Sequence, residues 1–205
     1  MEKKKGLFIT FEGIDGSGKT TQLELVDKYL KEKNLKTLLT LEPGGCELGK
    51  NIRQILLHYD SYVNDTAELF LYLADRAQHT DTVILKGLKE GSIVLCDRFI
   101  DSTAAYQGYG RGFDLEKIDY LNKAATLGLV PDLTFVFDID LETAQKRVGK
   151  TKDRMEKEKL EFHKKVKEGY LDLAKKYPDR IKVIDSTQSI EKIHFEVRKI
   201  IDKVL

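Results

Sequence analysis

Cysteine is nearly absent from this chain of 205 residues, which has only Cys46 and Cys96. The two lack the C-x-x-C spacing of a zinc or redox site and cannot build the disulfide framework of a small secreted fold. They read as free thiols in a reducing compartment. A surplus of either charge is missing too, because 35 Lys and Arg stand against 34 Asp and Glu, for a formal net charge of +1. That balance argues against a general nucleic-acid binder and says nothing of a local basic pocket. Long apolar runs are also lacking. After the basic start MEKKK, apolar residues extend only from Leu7 to Phe11 before Glu12 interrupts them. This is too short for a signal-peptide core, and no other run approaches the roughly 18 residues of a membrane span. A soluble, cytoplasmic protein with no membrane or nucleic-acid partner is expected. With three prolines, no repeat and no low-complexity tract, no linker stands out, and residues 1–205 are expected to form one domain with a sizeable core.

What the chain does contain is an alternation of two periods. Short β-rich runs, LFITFEG, TLLTLEP, SIVLCD, LTFVFDID and IKVID, are separated by segments with apolar residues three or four apart. The spacing predicts helices over Gly18 to Lys33, Glu47 to His58, Thr66 to Lys89, Leu115 to Leu127, Leu141 to Gly149, Lys157 to Tyr177 and Ile190 to Val204. Strands so far apart need crossover helices, so the expected fold is three-layer α/β with a five-stranded parallel sheet. Ligands are expected at the carboxyl ends of its strands.

The first strand leads into the densest glycine cluster. Gly13 to Thr20, GIDGSGKT, fits G-x-x-x-x-G-K-[S/T] between a strand and a helix, and a chance match in a chain of this length is on the order of 1 in 100. Backbone N–H groups of such a loop converge on phosphate, the helix N-terminus adds positive potential, and the Lys19 ammonium reaches the outer phosphates. The Thr20 hydroxyl can ligate a bridging Mg2+. SIVLCD closes in Asp97, a carboxylate suited to the same ion, with Arg98 following as a phosphate partner. LTFVFD offers Asp138 as a competing strand-end carboxylate.

Beyond the loop, the chain resembles the thymidylate kinase family nearly end to end. The resemblance rests on FEGIDGSGKTTQ, EPGG at Glu42 to Gly45, ADRAQH at Ala74 to His79, DRFIDSTAAYQG at Asp97 to Gly108, and DRME at Asp153 to Glu156. It implies a P-loop nucleoside monophosphate kinase fold, transfer of the ATP γ-phosphoryl group to dTMP, and a homodimer. For ATP it implies Gly13, Ile14, Asp15, Gly16, Ser17, Gly18, Lys19, Thr20 and Thr21, with Arg147. For dTMP it implies Arg53 and Arg98 on the phosphate, Tyr72 stacked on thymine, Arg76 and Gln107 on the base edge with Ser102 or Thr103 nearby, Tyr106 against the sugar, and Asp15 on its 3′-hydroxyl. Glu42 of EPGG joins this set. Lys19, Asp97, Arg98 and Arg154 are the implied catalytic residues, with Arg154 on a lid of about residues 147–156 as in the bacterial subclass, because the P-loop positions Ile14, Asp15 and Ser17 supply no cationic side chain.

Blander readings exist for each. Arg53 fits an exposed helix charge, Tyr72 a core residue, Tyr106 and Gln107 loop packing, and KRVGKTKDRME a solvated charge run. The chain departs from the family pattern at Tyr72, usually Phe, at Leu41, usually Arg, and at Cys46, where Thr or another small residue is expected. Other expectations for the whole chain are a different nucleoside or nucleotide kinase, a non-catalytic regulator, or a P-loop GTPase. The last needs an N-K-x-D element, and NKAA at Asn122 lacks the carboxylate. Lys19→Ala is expected to remove nearly all turnover while the far-UV circular dichroism spectrum is kept. Unchanged turnover would take the loop out of the mechanism.

Overall fold

The apolar, β-branched runs form a single parallel sheet in a computed structural model that describes residues 6–149 and 153–205. The strands are β1 (Phe8–Glu12), β2 (Thr37–Leu41), β3 (Ile93–Asp97), β4 (Leu133–Asp138) and β5 (Ile181–Asp185), in the order β2-β3-β1-β4-β5. Every residue of the central β1 is buried, as expected for a parallel strand covered on both faces. Register places Phe11 opposite Asp97 on β3 and Glu12 opposite Val136 on β4. The connections leaving β1 and β3 run toward opposite edges, so a crevice opens at their carboxyl ends.

Helices α1 (Lys19–Glu32) and α9 (Ile190–Ile201) cover one face. Leu23, Val26 and Leu30 of α1 meet Ile193, Val197 and Ile201 of α9 over Ile9, Phe11, Leu95, Phe135 and Phe137. The other face is covered by α4 (Leu85–Lys89) and α8 (Leu160–Lys176), with α2 (Glu47–His58), α3 (Asp65–His79), α6 (Leu115–Ala125) and α7 (Leu141–Arg147) around the crevice. Side chains alternate along a strand, so Thr10 and Glu12 share the Phe8 face of β1. There Thr10 and Thr134 hydroxyls meet at 2.7 Å, and Arg180 grips the buried Asp101 through two nitrogens at 2.6 and 2.8 Å.

Two stretches differ from the periodic reading. The helix expected over Thr66 to Lys89 is continuous in path, but its hydrogen bonding widens to a π turn at Thr80–Ile84 between α3 and α4. After β3, where no helix is expected, α5 (Ile100–Thr103) runs into a second π segment, Ala104–Gly110. Ser, Thr, Tyr and Gly are poor helix formers, so packing rather than propensity holds it. Helix α8 lies so close that a Cβ on Gly169 would meet the Tyr109 ring at 2.7 Å.

The Asp101–Arg180 pair gives a stability test. Arg180→Met is expected to cost about 3 kcal/mol in urea denaturation by leaving the Asp101 charge buried, and adding Asp101→Asn to restore part of it. No loss in the single variant would mean that the carboxylate is solvated.

Candidate active site

At the end of β1 the chain turns through Gly13, Gly16 and Gly18 at φ of 140°, 80° and 88°. At Gly16 the constraint is also spatial, since a Cβ would collide with the Ala144 carbonyl of α7. The loop and the first turn of α1, Gly16 to Gln22, line a cavity of about 460 Å³ together with Arg147, Gln188, Ile190 and Ile193. Lys19 Nζ lies 3.3 Å from Asp15 Oδ1. Thr20 donates its hydroxyl to Asp97 Oδ2 at 2.7 Å, and the other Asp97 oxygen is buried without a hydrogen-bond partner. The competing carboxylate, Asp138, instead pairs with Lys167 at 2.9 Å. Thus the two oxygen ligands named for Mg2+ adjoin each other beside the phosphate loop. Among the described residues no group of three or more His, Cys, Asp or Glu gathers as a metal cage. Two protein oxygens suit an ion that takes its remaining ligands from phosphate and water.

A second cavity, of about 90 Å³, opens on the other side of Asp15. It collects Asp15, Glu42, Arg53, Tyr72, Arg76, Arg98, Ser102, Thr103, Tyr106 and Gln107, all ten residues assigned from sequence to the second substrate. Arg98 has a left-handed backbone, φ 70°. Its Nη2 donates to Asp15 Oδ1 at 2.6 Å, and its guanidinium lies 5.1 Å from the Tyr106 ring centroid. Burial pushes the Asp15 carboxyl up, but Arg98 and Lys19 outweigh it and hold the group well below the usual carboxylate range. Burial also pushes the Tyr72 and Tyr106 phenols up, so both stay neutral.

Arg76 is almost wholly enclosed. It donates to Glu42 at 2.8 Å, Thr103 at 2.6 Å, Asn122 at 2.7 Å and the Phe99 carbonyl at 2.9 Å. A guanidinium has five N–H groups, so one remains for a ligand. Arg53 donates to the Pro43 carbonyl at 2.7 Å. Behind Glu42, His79 bonds Glu42 at 2.9 Å through Nδ1 and Thr40 at 2.6 Å through Nε2.

The lid is less simply placed. Residues 150–152, part of the expected lid, lie outside the described residues, as does Met1 to Lys5. Arg147 reaches the phosphate-loop cavity. Arg154 does not line it: its Nη2 donates to Glu68 at 2.6 Å and its Nε to the Leu56 carbonyl at 2.8 Å. Sequence reasoning passed over Glu68, yet this fully buried carboxylate also accepts from Gln107 at 3.0 Å and from Arg111 at 3.2 and 3.1 Å. Burial raises its pKa and these donors more than reverse the effect. It passed over Glu12 as well, which burial, the Asp101 charge and opposing hydrogen bonds leave raised to about 7. Both carry one legible signal, a carboxylate inside an otherwise apolar run, FITFE and AELFLYLA.

Asp75 supplies a pH test. Its Oδ1 accepts the Gly44 N–H at 3.0 Å, while burial and the Glu42 charge push the carboxyl from 3.8 up to about 6. The folded protein therefore keeps a proton that the unfolded chain releases, and that contribution to stability is full below pH 3.8 and is lost as pH rises through 6. Asp75→Asn cannot titrate and should gain in urea stability over the parent between pH 4 and pH 7. A difference independent of pH would contradict this.

Comparison with known proteins agrees with the geometry. The sequence profile of the family described as Thymidylate kinase matches residues 11–197. The thymidylate kinase of Thermoanaerobacter sp. (strain X514) is 45% identical over 202 residues, covering 98% of this chain and all of the relative. That of Sulfurihydrogenibium sp. (strain YO3AOP1) is 50% identical over 190 residues, 92% of this chain and 93% of the relative. The crystal structure of thymidylate kinase from Ehrlichia chaffeensis superposes with a TM-score of 0.81 at 39% identity, over 96% of this chain and 99% of that one. With a phosphate loop and an arginine-lined second cavity meeting at Asp15, and with relatives matching along almost its whole length, the chain belongs to the thymidylate kinase family.

Proposed function

We propose that the protein transfers the γ-phosphoryl group of ATP to dTMP, giving dTDP and ADP. The observation that carries this reading is a cavity walled by Gly16 to Gln22 of the phosphate loop and α1, beside a second cavity walled by Arg53 and Arg98 that Asp15 of the same loop also lines. A phosphate oxygen of dTMP attacks the γ-phosphorus, the bond to the bridging β–γ oxygen breaks, and ADP leaves with that oxygen. Lys19 and the backbone of Gly13 to Thr21, including Ile14 and Ser17, hold the donor phosphates, with Arg147 at the mouth. Arg53 and Arg98 hold the acceptor phosphate in the fork geometry suited to a monoester. Tyr72 packs on thymine, Arg76 offers its remaining N–H to the base beside Ser102, Thr103 and Gln107, and Tyr106 closes the sugar side above Asp15. Glu42 acts through Arg76. Thr20 and Asp97 are the residues that would hold Mg2+, which supplies charge neutralisation on the phosphates when bound.

Arg154 serves the reaction on a closing lid, and to do so it must leave Glu68, whose charge Arg111 continues to balance. Pairing of two copies of the chain belongs to the same proposal. It is supported by the exposed apolar residues Leu48 and Ile55 on α2 and Phe70 on α3, helices that pack side by side. A cytoplasmic location is supported by the free thiols Cys46 and Cys96.

The reading is tested by coupled ADP release across nucleoside monophosphates. Turnover with dTMP is expected far above dCMP, dGMP and UMP, and no dTDP from purified protein would end the proposal. Within it, Arg154→Ala should lower kcat by roughly 10² to 10³ while moving the dTMP KM little, the scale for removing a preorganised charge-stabilising group. Arg154→Lys should recover part. Wild-type kcat in Arg154→Ala would leave the residue a structural tie to the buried Glu68.

A further inference from the structure

A non-glycine residue keeps a left-handed backbone only where its surroundings over-determine it. Arg98 is such a residue, and its surroundings lead back to one side chain. The Arg98 N–H donates to the Phe11 carbonyl at 2.9 Å, and the next N–H, that of Phe99, donates to Glu12 Oε1 at 2.8 Å. The other oxygen, Glu12 Oε2, accepts the Ser102 hydroxyl at 2.6 Å and the Tyr170 hydroxyl at 3.1 Å. Those same two hydroxyls each accept from Arg98 Nη1 at 3.3 Å. One carboxylate therefore fixes the arginine at both ends, its backbone through Phe99 and its guanidinium through Ser102 and Tyr170.

Glu12 is itself immobile. It is fully buried and closes a strand paired on both sides. It also directly precedes Gly13, where the phosphate loop begins. We propose that Glu12 is the positioning residue for the acceptor-phosphate arginine, setting Arg98 at a fixed distance from the phosphate loop without touching either nucleotide. The inference rests on the reading above that Arg98 receives the dTMP phosphate. Asp15 holds Arg98 too, but from a half-exposed loop that a ligand must contact. Glu12 grips it from the sheet.

The test is a double-mutant cycle on the full chain with ATP and dTMP as substrates. Glu12→Gln keeps the volume but offers the two hydroxyls an amide in place of a carboxylate. It should raise the dTMP KM and lower kcat by about tenfold each, the scale for slight misplacement of a reacting group, with the ATP KM unchanged. In the Arg98→Ala background the same substitution should add almost nothing, because nothing is left to position. The inference is overturned if Glu12→Gln multiplies the Arg98→Ala defect in full, or if it moves the KM of ATP and dTMP alike. Should Glu12→Gln fail to fold, Tyr170→Phe, which removes one bridging hydroxyl, must still raise the dTMP KM selectively, and an unchanged KM there overturns the inference. A raised dTMP KM in Arg98→Ala together with an unchanged dTMP KM in the Glu12→Gln single variant defeats this inference alone. An unchanged KM in Arg98→Ala defeats the assignment on which it rests.

Discussion

The parallel pairing of β1 with β3 is the constraint on which the site depends. With Phe11 opposite Asp97, the two strands end within one residue of each other. The chain leaving β1 becomes the phosphate loop, and the chain leaving β3 turns at once through the left-handed Arg98. A one-residue slip in that ladder would invert the faces of the strand and part Thr20 from Asp97 and Arg98 from Asp15. The apolar layers beneath, Phe11 against Phe135 and Phe137 on one face and Phe8 against Phe99 on the other, make the register costly to change.

Three buried carboxylates then organise the arginines. Glu12 addresses Arg98, Glu42 addresses Arg76, and Glu68 gathers Arg111, Arg154 and Gln107. Buried ion pairs are poor sources of stability, because desolvation offsets most of the attraction. Their worth here is placement. A guanidinium already held in its working orientation loses little freedom when a phosphate arrives, so more of the contact energy reaches binding and transfer. Glu68 differs from the other two in joining Gln107 of the second cavity to Arg154, so the two side chains meet on one anion.

The five strands were legible because parallel, doubly covered strands are short apolar runs bounded by turn residues, and the helix Glu47–His58 because apolar residues such as Ile52 and Leu56 recur at helical spacing. The phosphate loop was legible from spacing alone. The second cavity was not: Arg53, Tyr72 and Gln107 look like a surface charge, a core ring and a loop amide until a family pattern brings them together. The segment 100–110 was missed because its helical geometry comes from contact with α8, which no local propensity encodes. Glu12 and Glu68 were missed because their partners lie far along the chain, as with Ser102 on Glu12 and Arg154 on Glu68. What the sequence does show is only a charge where the period asks for an apolar side chain.

The claim that matters most is that the second cavity is built around a phosphate rather than around a nucleoside. Equilibrium titration of dTMP and thymidine into the same protein by calorimetry tests it directly. On that account Arg53 and Arg98 would contribute charge-assisted hydrogen bonds to the phosphate, each on the order of 1.5–3 kcal/mol, so dTMP should bind at least about 100-fold more tightly than thymidine. Equal affinity for the two would contradict the account.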